Sequence, residues 1–211
     1  RSHAPGRGED RSLAPDCTAC HVRSHTMVVA DDPVSPVNRR NIPATCLECH
    51  TREENPATRR DTGAKTVKSY RDSIHGRGLY KLGLVSSAVC TDCHGAHRIL
   101  PEDHPESRVN PRNVPATCGS CHQGLLDDYR RGIHYRTLAS RNQEAPHCGD
   151  CHTSHRIQST MDRGGFALDT VEKCGRCHEK QLASYRLSYH GTITRLGGSA
   201  VALCSDSPRH H

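Results

Sequence analysis

The 211-residue sequence contains little of what normally builds a protein core. It has no tryptophan and one phenylalanine, aromatic residues make up 3% of the chain, and hydrophobic residues only 33%. Its mean hydropathy is −0.75. Such a chain buries too little apolar side-chain surface to offset the entropy lost on folding, so a conventional side-chain core is excluded.

Three further absences narrow the function. No apolar run approaches the length of a membrane span. Aromatic side chains that could stack on bases are scarce, so nucleic-acid binding is not expected despite a formal charge of +6. The sequence begins at Arg1 without methionine or a signal peptide, and we expect a processed product or a piece of a longer chain.

Cysteine and histidine, in contrast, are abundant and ordered. Twelve of the thirteen cysteines fall in six copies of Cys-x-x-Cys-His, the attachment motif of c-type haem, in which two thiols bind the haem covalently and the histidine ligates iron. We number these sites 1 to 6 in chain order: 17–21, 46–50, 90–94, 118–122, 148–152 and 174–178.

Zinc ribbons and disulfides are the alternatives for so many cysteines. A zinc ribbon needs two Cys-x-x-Cys pairs but no histidine after each pair. A disulfide framework places no condition on the residue that follows a cysteine. The sequence therefore predicts covalent haem c in six copies.

Haem also explains the composition and the charge. Six haems in so short a chain would supply the core, which predicts a haem-cored fold of mostly coil with short α-helices and little or no β-structure, unfolded without haem. Arginine, which suits paired hydrogen bonds to carboxylates, accounts for 24 of the 29 basic residues. Six haems would bring twelve negative propionates, and their six ferric irons in dianionic porphyrins would contribute +1 each. The formal charge of +6 would then fall to about zero.

The sites form a repeat of two. Sites 1, 3 and 5 have a histidine 14 or 15 residues upstream of their first cysteine and another shortly downstream of the motif. Sites 2 and 4 follow a shared phrase, Asn-x-Arg-Asn-x-Pro-Ala-Thr-Cys. This predicts three two-haem units and a partial fourth within one haem-cored domain: 3–74 (with an inserted loop at 51–63), 75–133, 134–189 and 190–211.

These positions give the candidate site residues. The haem thioethers are assigned to Cys17, Cys20, Cys46, Cys49, Cys90, Cys93, Cys118, Cys121, Cys148, Cys151, Cys174 and Cys177. The proximal iron ligands are His21, His50, His94, His122, His152 and His178. The distal candidates are His3, His25, His75, His97, His134, His155 and His190.

Spacing limits how these histidines are used. We predict helices over 66–75, 118–134 and 171–190, and 12 residues of helix would separate His122 from His134 by about 18 Å, too far to share an iron. His97 lies on the same helical face as His94, so His97 and the equivalent His155 should serve neighbouring haems.

Some residues fall outside the ligand set. Seven distal candidates exceed six irons by one, and our hypothesis is that an end histidine, His3 or His190, joins a neighbouring chain. Four histidines are interpreted as solvent or haem-periphery residues: His104, His147, His210 and His211. Cys204 begins a truncated seventh site, with Ser207 and Pro208 in place of cysteine and histidine, and is not expected to hold a seventh haem.

The stretch from His75 to His97, with His-Gly followed by Cys-x-x-Cys-His-Gly-x-His, resembles multihaem c-type cytochromes of dissimilatory and extracellular electron transfer, some of which polymerise into cell-surface filaments. The resemblance implies closely packed bis-histidine haems that conduct electrons, with redox proteins or extracellular acceptors as partners, at the cell surface or in the periplasm. A homo-polymer with haem contacts between subunits is part of that hypothesis. The alternative is an enzyme of the nitrite or hydroxylamine oxidoreductase type, which needs one open haem.

Overall fold

The computed structural model describes residues 15–21, 27–50, 63–140 and 145–206. Within these ranges short α-helices alternate with turns and coil and no β-strand forms, which confirms the predicted fold class. The helices are α1 Thr18–His21, α2 Ile42–His50, α3 Gly63–Asp72, α4 Ile74–Lys81, α5 Cys90–His94, α6 Val114–Gly119, α7 Gln123–Arg131, α8 Ile133–Ala139, α9 Cys148–His152, α10 Leu168–Gly175, α11 Glu179–Leu187 and α12 Tyr189–Arg195. A π-helix, Arg163–Ala167, precedes α10, and a 3₁₀-helix covers Cys204–Asp206.

Side-chain burial is sparse among the described residues, as the composition predicts. Large apolar side chains such as Leu187 and Met161 are 89% and 88% exposed. One local apolar cluster forms where α10 meets the chain before Cys204, and it consists of Ala167, Val171 and Leu203. None of the described helices is long and apolar enough to cross a membrane.

The predicted continuous helices are wrong, because each is broken by a corner. Ser73, Gly132 and Ser188 adopt extended backbone conformations, with ψ near 165°, between α3 and α4, α7 and α8, and α11 and α12. At two corners the serine hydroxyl accepts the N–H of the third helical residue, as Ser73 does from Gly76 at 3.0 Å. This side-chain bond starts a new helix and compensates for the interrupted one.

Two of the predicted helices are broken a second time, at the motif histidine. His122 and His178 have φ near −105° and ψ near 54°, outside the helical region, and cap α7 and α11. The predicted helices 118–134 and 171–190 therefore each become three separate segments.

The corner after Ser73 also requires close packing. A Cβ at Gly76 would overlap the carbonyl oxygen of Tyr70, so this position suits glycine.

The linkers that lead into sites 2 and 4, residues 27–45 and 99–117, share one hydrogen-bond pattern. The Asn41 amide donates to the carbonyls of Pro33 and Ser35 at 2.7 and 2.9 Å. Residues 72 positions later repeat these bonds, with the Asn113 amide 2.8 Å from the carbonyls of both Pro105 and Ser107. Polar side chains bound to backbone thus fix both linkers.

Candidate haem-binding sites

Five of the six motifs occupy two structural settings. Sites 3 and 5 form short helices of their own, α5 and α9, each of which begins at the first cysteine. Sites 2, 4 and 6 instead begin in the last turns of α2, α6 and α10. All thirteen cysteines lie within the described residues and none forms a disulfide, so every motif presents two free thiols.

An aspartate closes the turn at sites 3 and 5. The Asp92 carboxylate accepts the N–H of Val89 at 2.8 Å, and the Asp150 carboxylate accepts the N–H of His147 at 2.7 Å. Each aspartate is the second residue after the first cysteine, so it also satisfies a backbone donor at the helix start. Site 1 differs, because Asp16 precedes its first cysteine and accepts from Thr18 at 2.9 Å.

Two tyrosines tie these sites to the helix corners. The Tyr70 hydroxyl donates to the carbonyl of Ala88 at 3.0 Å, and the Tyr129 hydroxyl donates to the carbonyl of Pro146 at 2.6 Å. Both tyrosines lie five residues before a distal candidate, and both carbonyls lie two residues before a first cysteine. The bond therefore fixes the corner histidine relative to the motif that follows it.

First cysteines of neighbouring sites touch. The Cys46 thiol of site 2 donates a hydrogen bond to the Cys90 sulfur of site 3, which raises the pKa of Cys46. The same bond links Cys118 of site 4 to Cys148 of site 5 and raises the pKa of Cys118. The attachment points of consecutive sites are thus adjacent in space.

Arg39 joins the first linker to site 3. Its guanidinium binds both carboxylate oxygens of Asp92, at 3.2 and 2.7 Å, and donates to the carbonyls of Val85 and Ser87. Burial acts to raise the pKa of Asp92, but the hydrogen bonds from Arg39 and from the Val89 amide outweigh it and lower that pKa. Pro111 occupies the equivalent position in the second linker, so this contact is particular to the first.

Histidines of alternate sites are brought together in pairs. The rings of His21 and His97 have centroids 5.9 Å apart and planes 11° apart. The rings of His94 and His155 have the same separation, with planes 4° apart. In each pair the motif histidine of one site meets the downstream histidine of the next odd-numbered site.

The corner histidines form a second set of pairs. His75 lies opposite His122 with ring centroids 6.0 Å apart, and His134 lies opposite His178 at 6.2 Å. Here the partner precedes the motif, by 47 and 44 residues respectively. His122 and His134 therefore lie in different pairs.

These separations fit an iron between two imidazoles. With metal–nitrogen bonds of about 2.0 Å, and a ring centroid about 1.1 Å behind each nitrogen, trans imidazoles have centroids about 6.2 Å apart. Burial lowers the pKa of His50, His75 and His155, which favours the neutral imidazole that binds metal. The described residues hold no cluster of three or more potential metal ligands, so the histidines are arranged in twos.

The remaining candidates have other surroundings. The His152 ring stacks on Phe166, with centroids 4.9 Å and planes 8° apart. His190 is exposed and its ring meets Tyr189 edge-on at 5.8 Å. His3, His25 and most of the predicted loop at 51–63 lie outside the described residues.

Local hydrogen bonds explain two histidines that follow no repeat. His104 accepts the N–H of Glu106 at 3.1 Å, and His147 accepts the N–H of Gly149 at 3.0 Å. Sequence reasoning missed the supporting residues Tyr70, Tyr129 and Arg39. The tyrosines had a signal, because each stands five residues before a corner histidine.

Fold and site together support the class of multihaem c-type cytochromes, and so do the relatives. The chain is 25% identical over 134 residues to C-type polyheme cytochrome OmcC of Geobacter sulfurreducens, a match that covers 59% of this chain and 16% of that protein. It is also 25% identical over 170 residues to Cytochrome c-type protein NrfB of Escherichia coli O6:H1, covering 72% of this chain and 73% of that protein.

The two relatives differ in how much of them the chain spans. It covers about one sixth of the length of OmcC but nearly three quarters of NrfB. No protein-family model matches the chain, and no solved structure matches it. What the names of both relatives share is cytochrome c, which supports haem c and electron transfer.

Proposed function

We propose that the protein carries six haems c, each with two axial histidines, and passes single electrons along them. The observation that carries this proposal is the set of four ring pairs, each of which joins one Cys-x-x-Cys-His histidine to one histidine outside a motif. Haem would supply reversible one-electron chemistry at iron. The chain's own part is to hold the two imidazoles of each pair opposite one another, and to keep successive attachment points together.

The pairing pattern extends to a residue outside the described ranges. His75 precedes His122 by 47 residues, and His3 precedes His50 by the same 47 residues. We therefore assign His3 as the second ligand at site 2. The three two-haem units, beginning at His3, His75 and His134, then each contribute an early histidine to their own even-numbered site.

Contacts between first cysteines support a conduit rather than isolated haems. Because Cys46 touches Cys90 and Cys118 touches Cys148, haems bound there would start from neighbouring points. A fully ligated chain of haems leaves no open iron for substrate, so we assign electron transfer and not catalysis. Haem c attachment takes place outside the cytoplasm, so the proposed location is the periplasm or the cell surface, and the proposed partners are redox proteins or extracellular acceptors.

The proposal extends to a homo-polymer, in which copies of the chain join end to end. The same spacing pattern assigns neither His25 nor His190 to a haem iron of this sequence. His190 is also exposed, on α12. We therefore expect His190, rather than His3, to make the contact if copies join end to end. Comparing the solution size of H190A with that of the unmodified holoprotein tests this, and identical polymers in both would contradict it.

Two measurements on the purified holoprotein test the main proposal. The intact mass under denaturing conditions should exceed that of the 23.2 kDa chain by six haems. The visible spectrum of the dithionite-reduced protein should not change with carbon monoxide, because six-coordinate iron offers no site. A Soret shift amounting to one haem in six would instead indicate an open iron and favour the oxidoreductase alternative.

A further inference from the structure

The linker into site 6 differs from the linkers into sites 2 and 4 at two positions that meet at site 5. Sites 2 and 4 have an asparagine eight residues before their first cysteine, Asn38 and Asn110, and a threonine one residue before it. Site 6 has Phe166 and Lys173 at these two positions. Phe166 is the only phenylalanine of the chain, so this replacement is not a common residue of the sequence.

The lysine replaces a bond inside a linker with a bond between sites. The hydroxyls of Thr45 and Thr117 each donate at 2.7 Å to a carbonyl nine residues earlier in their own linker. The Lys173 ammonium instead donates to the carbonyl of Cys151 at 2.8 Å. Cys151 is the second cysteine of site 5 and immediately precedes the motif histidine. Lys173 therefore joins the start of site 6 to site 5.

The Phe166 side chain lies against the motif histidine of the same site. The rings of Phe166 and His152 have centroids 4.9 Å apart and planes 8° apart. Coplanar rings this close would overlap, so the two rings are stacked face to face with an offset. Phe166, which is 7% exposed, therefore shields a face of the imidazole from water and does not cover the edge that carries the ring nitrogens.

An irregular helix places Phe166 in this position. Phe166 belongs to the π-helix Arg163–Ala167, and the carboxylate of the capping residue Asp162 accepts the N–H of Gly165 at 2.9 Å. A Cβ at Gly165 would overlap that carboxylate, so the cap requires glycine. π-Helical turns are rare in proteins and frequently occur at functional sites.

The positive charge of Lys173 is close to site 5. Its ammonium lies over the Phe166 ring, 5.5 Å from the centroid, in a cation–π contact. The sum of the two centroid distances, about 10 Å, is the upper limit for the distance from the ammonium to the centre of the His152 ring. Burial and the Asp150 carboxylate raise the pKa of the Cys151 thiol, and the charge of Lys173 opposes them. Because Lys173 is half-buried, solvent screens this charge less than a surface charge.

We infer that Lys173, held by the Phe166 ring and the Cys151 carbonyl, raises the reduction potential of the haem at site 5. Ferric haem carries one more positive charge than ferrous haem, so a fixed cation nearby disfavours the oxidised form. Phe166 is a positioning residue, because it contacts both the cation and the imidazole. The inference rests on the proposed attachment of haem at site 5, and it identifies a position along the conduit where an electron is stabilised.

A redox titration of the six-haem holoprotein, followed in its visible spectrum, tests the charge. K173Q should shift the midpoint potential of about one haem in six to a more negative value, which lowers its ratio of reduced to oxidised form at a fixed potential roughly 2- to 10-fold. K173R keeps the charge and should titrate like the unmodified protein. K68Q removes the same charge from an exposed position on α3 and should leave the titration unchanged. An unchanged titration of K173Q, or an equal shift in K68Q, would overturn the inference.

A second variant identifies the haem that responds. F166L keeps Lys173 and its bond to the Cys151 carbonyl, but the ammonium loses its contact with the ring. F166L should therefore shift the same haem in the same direction as K173Q, by a smaller amount. Because Phe166 stacks on His152, a response of one haem to both substitutions assigns it to site 5. Responses of two different haems, or a shift in F166L alone, would show that the charge of Lys173 does not control this site.

The unmodified protein separates this inference from the proposed function. If its denatured mass shows six haems and carbon monoxide has no effect, the proposed function stands and the titration of K173Q alone decides on Lys173. If carbon monoxide binds about one haem in six, the bis-histidine proposal fails at that iron. The shift expected of K173Q still applies in that case, because it depends on the charge and not on a second ligand.

Discussion

The linkers into the even-numbered sites are fixed in two different ways. Those into sites 2 and 4 share one way, and the linker into site 6 uses the other. The first two are held by asparagine side chains that bind backbone carbonyls, as Asn41 and Asn113 do. The third has lost that phrase and uses a π-helix, Arg163–Ala167, whose Ala167 packs against Val171 and Leu203. Hydrogen bonds to nearby backbone fix a linker locally, whereas apolar packing needs a partner from another part of the chain. Here that partner is Leu203, in the truncated site that begins at Cys204.

The largest effect should come from removing that partner. Leu203→Ala deletes a side chain that is 4% exposed in the described cluster, and we expect a loss of about 2–4 kcal/mol in the free energy of unfolding, from lost burial and a cavity. Denaturant unfolding of the holoprotein measures it. Leu196→Ala, at a position 77% exposed, is the matched control and should change stability little. Equal effects of the two would contradict the apolar account of the third linker.

A smaller effect is expected from the polar linkers. Asn113→Asp keeps the shape of the side chain but removes the donors that bind Pro105 and Ser107, at a cost of about 1–2 kcal/mol. Asn41→Asp should cost a similar amount, because its bonds are the same. Unfolding by denaturant again supplies the measurement, with Gln123→Ala on an exposed helix as control. A negligible cost at both asparagines would mean that the linkers are fixed by something other than these bonds.

The smallest effect concerns the contact found only in the first linker. Arg39 and Asp92 side chains are 40% and 35% exposed, so solvent screens the pair, and Arg39→Met should cost no more than about 1 kcal/mol at neutral pH. Arg40→Met, at the next residue, is the control.

The pH dependence of that variant has a definite sign. Folding lowers the pKa of Asp92 below 3.8, so the pair stabilises the protein above that pH and its contribution is lost as the pH falls through the lowered native value. The difference in stability between the unmodified protein and Arg39→Met should therefore be larger at pH 6 than in acid below about pH 4, where only the bonds from Arg39 to the carbonyls of Val85 and Ser87 still contribute to it. A difference that is constant with pH would exclude the ion pair as its source.

Much of the site was predictable because covalent attachment leaves a fixed pattern in the sequence. The motifs, the two-site repeat, and the expectation that His97 and His155 serve haems other than their own all followed from spacing, although the structure pairs them with motif histidines of alternate sites. The breaks at Ser73 and Ser188 did not, because helical periodicity continues through both corners and only the serine side chain, once placed, ends the helix.

Long-range register was the other missing information. No local pattern links His75 to His122 across 47 residues, and only the folded chain brings their ring centroids to 6.0 Å. Arg39 likewise gave no signal, because its partner Asp92 is 53 residues away.

The direction of the histidine pairs has a consequence for biosynthesis. Under the proposed ligation, even-numbered sites take a histidine that precedes them, so His75 has already emerged from the translocation channel when His122 appears. At odd-numbered sites the partner comes later in the chain than the motif. His97 follows His21 by 76 residues, and His155 follows His94 by 61. During export, then, an odd-numbered site would receive its haem before its second histidine is available, whereas an even-numbered site would have both histidines from the moment of attachment.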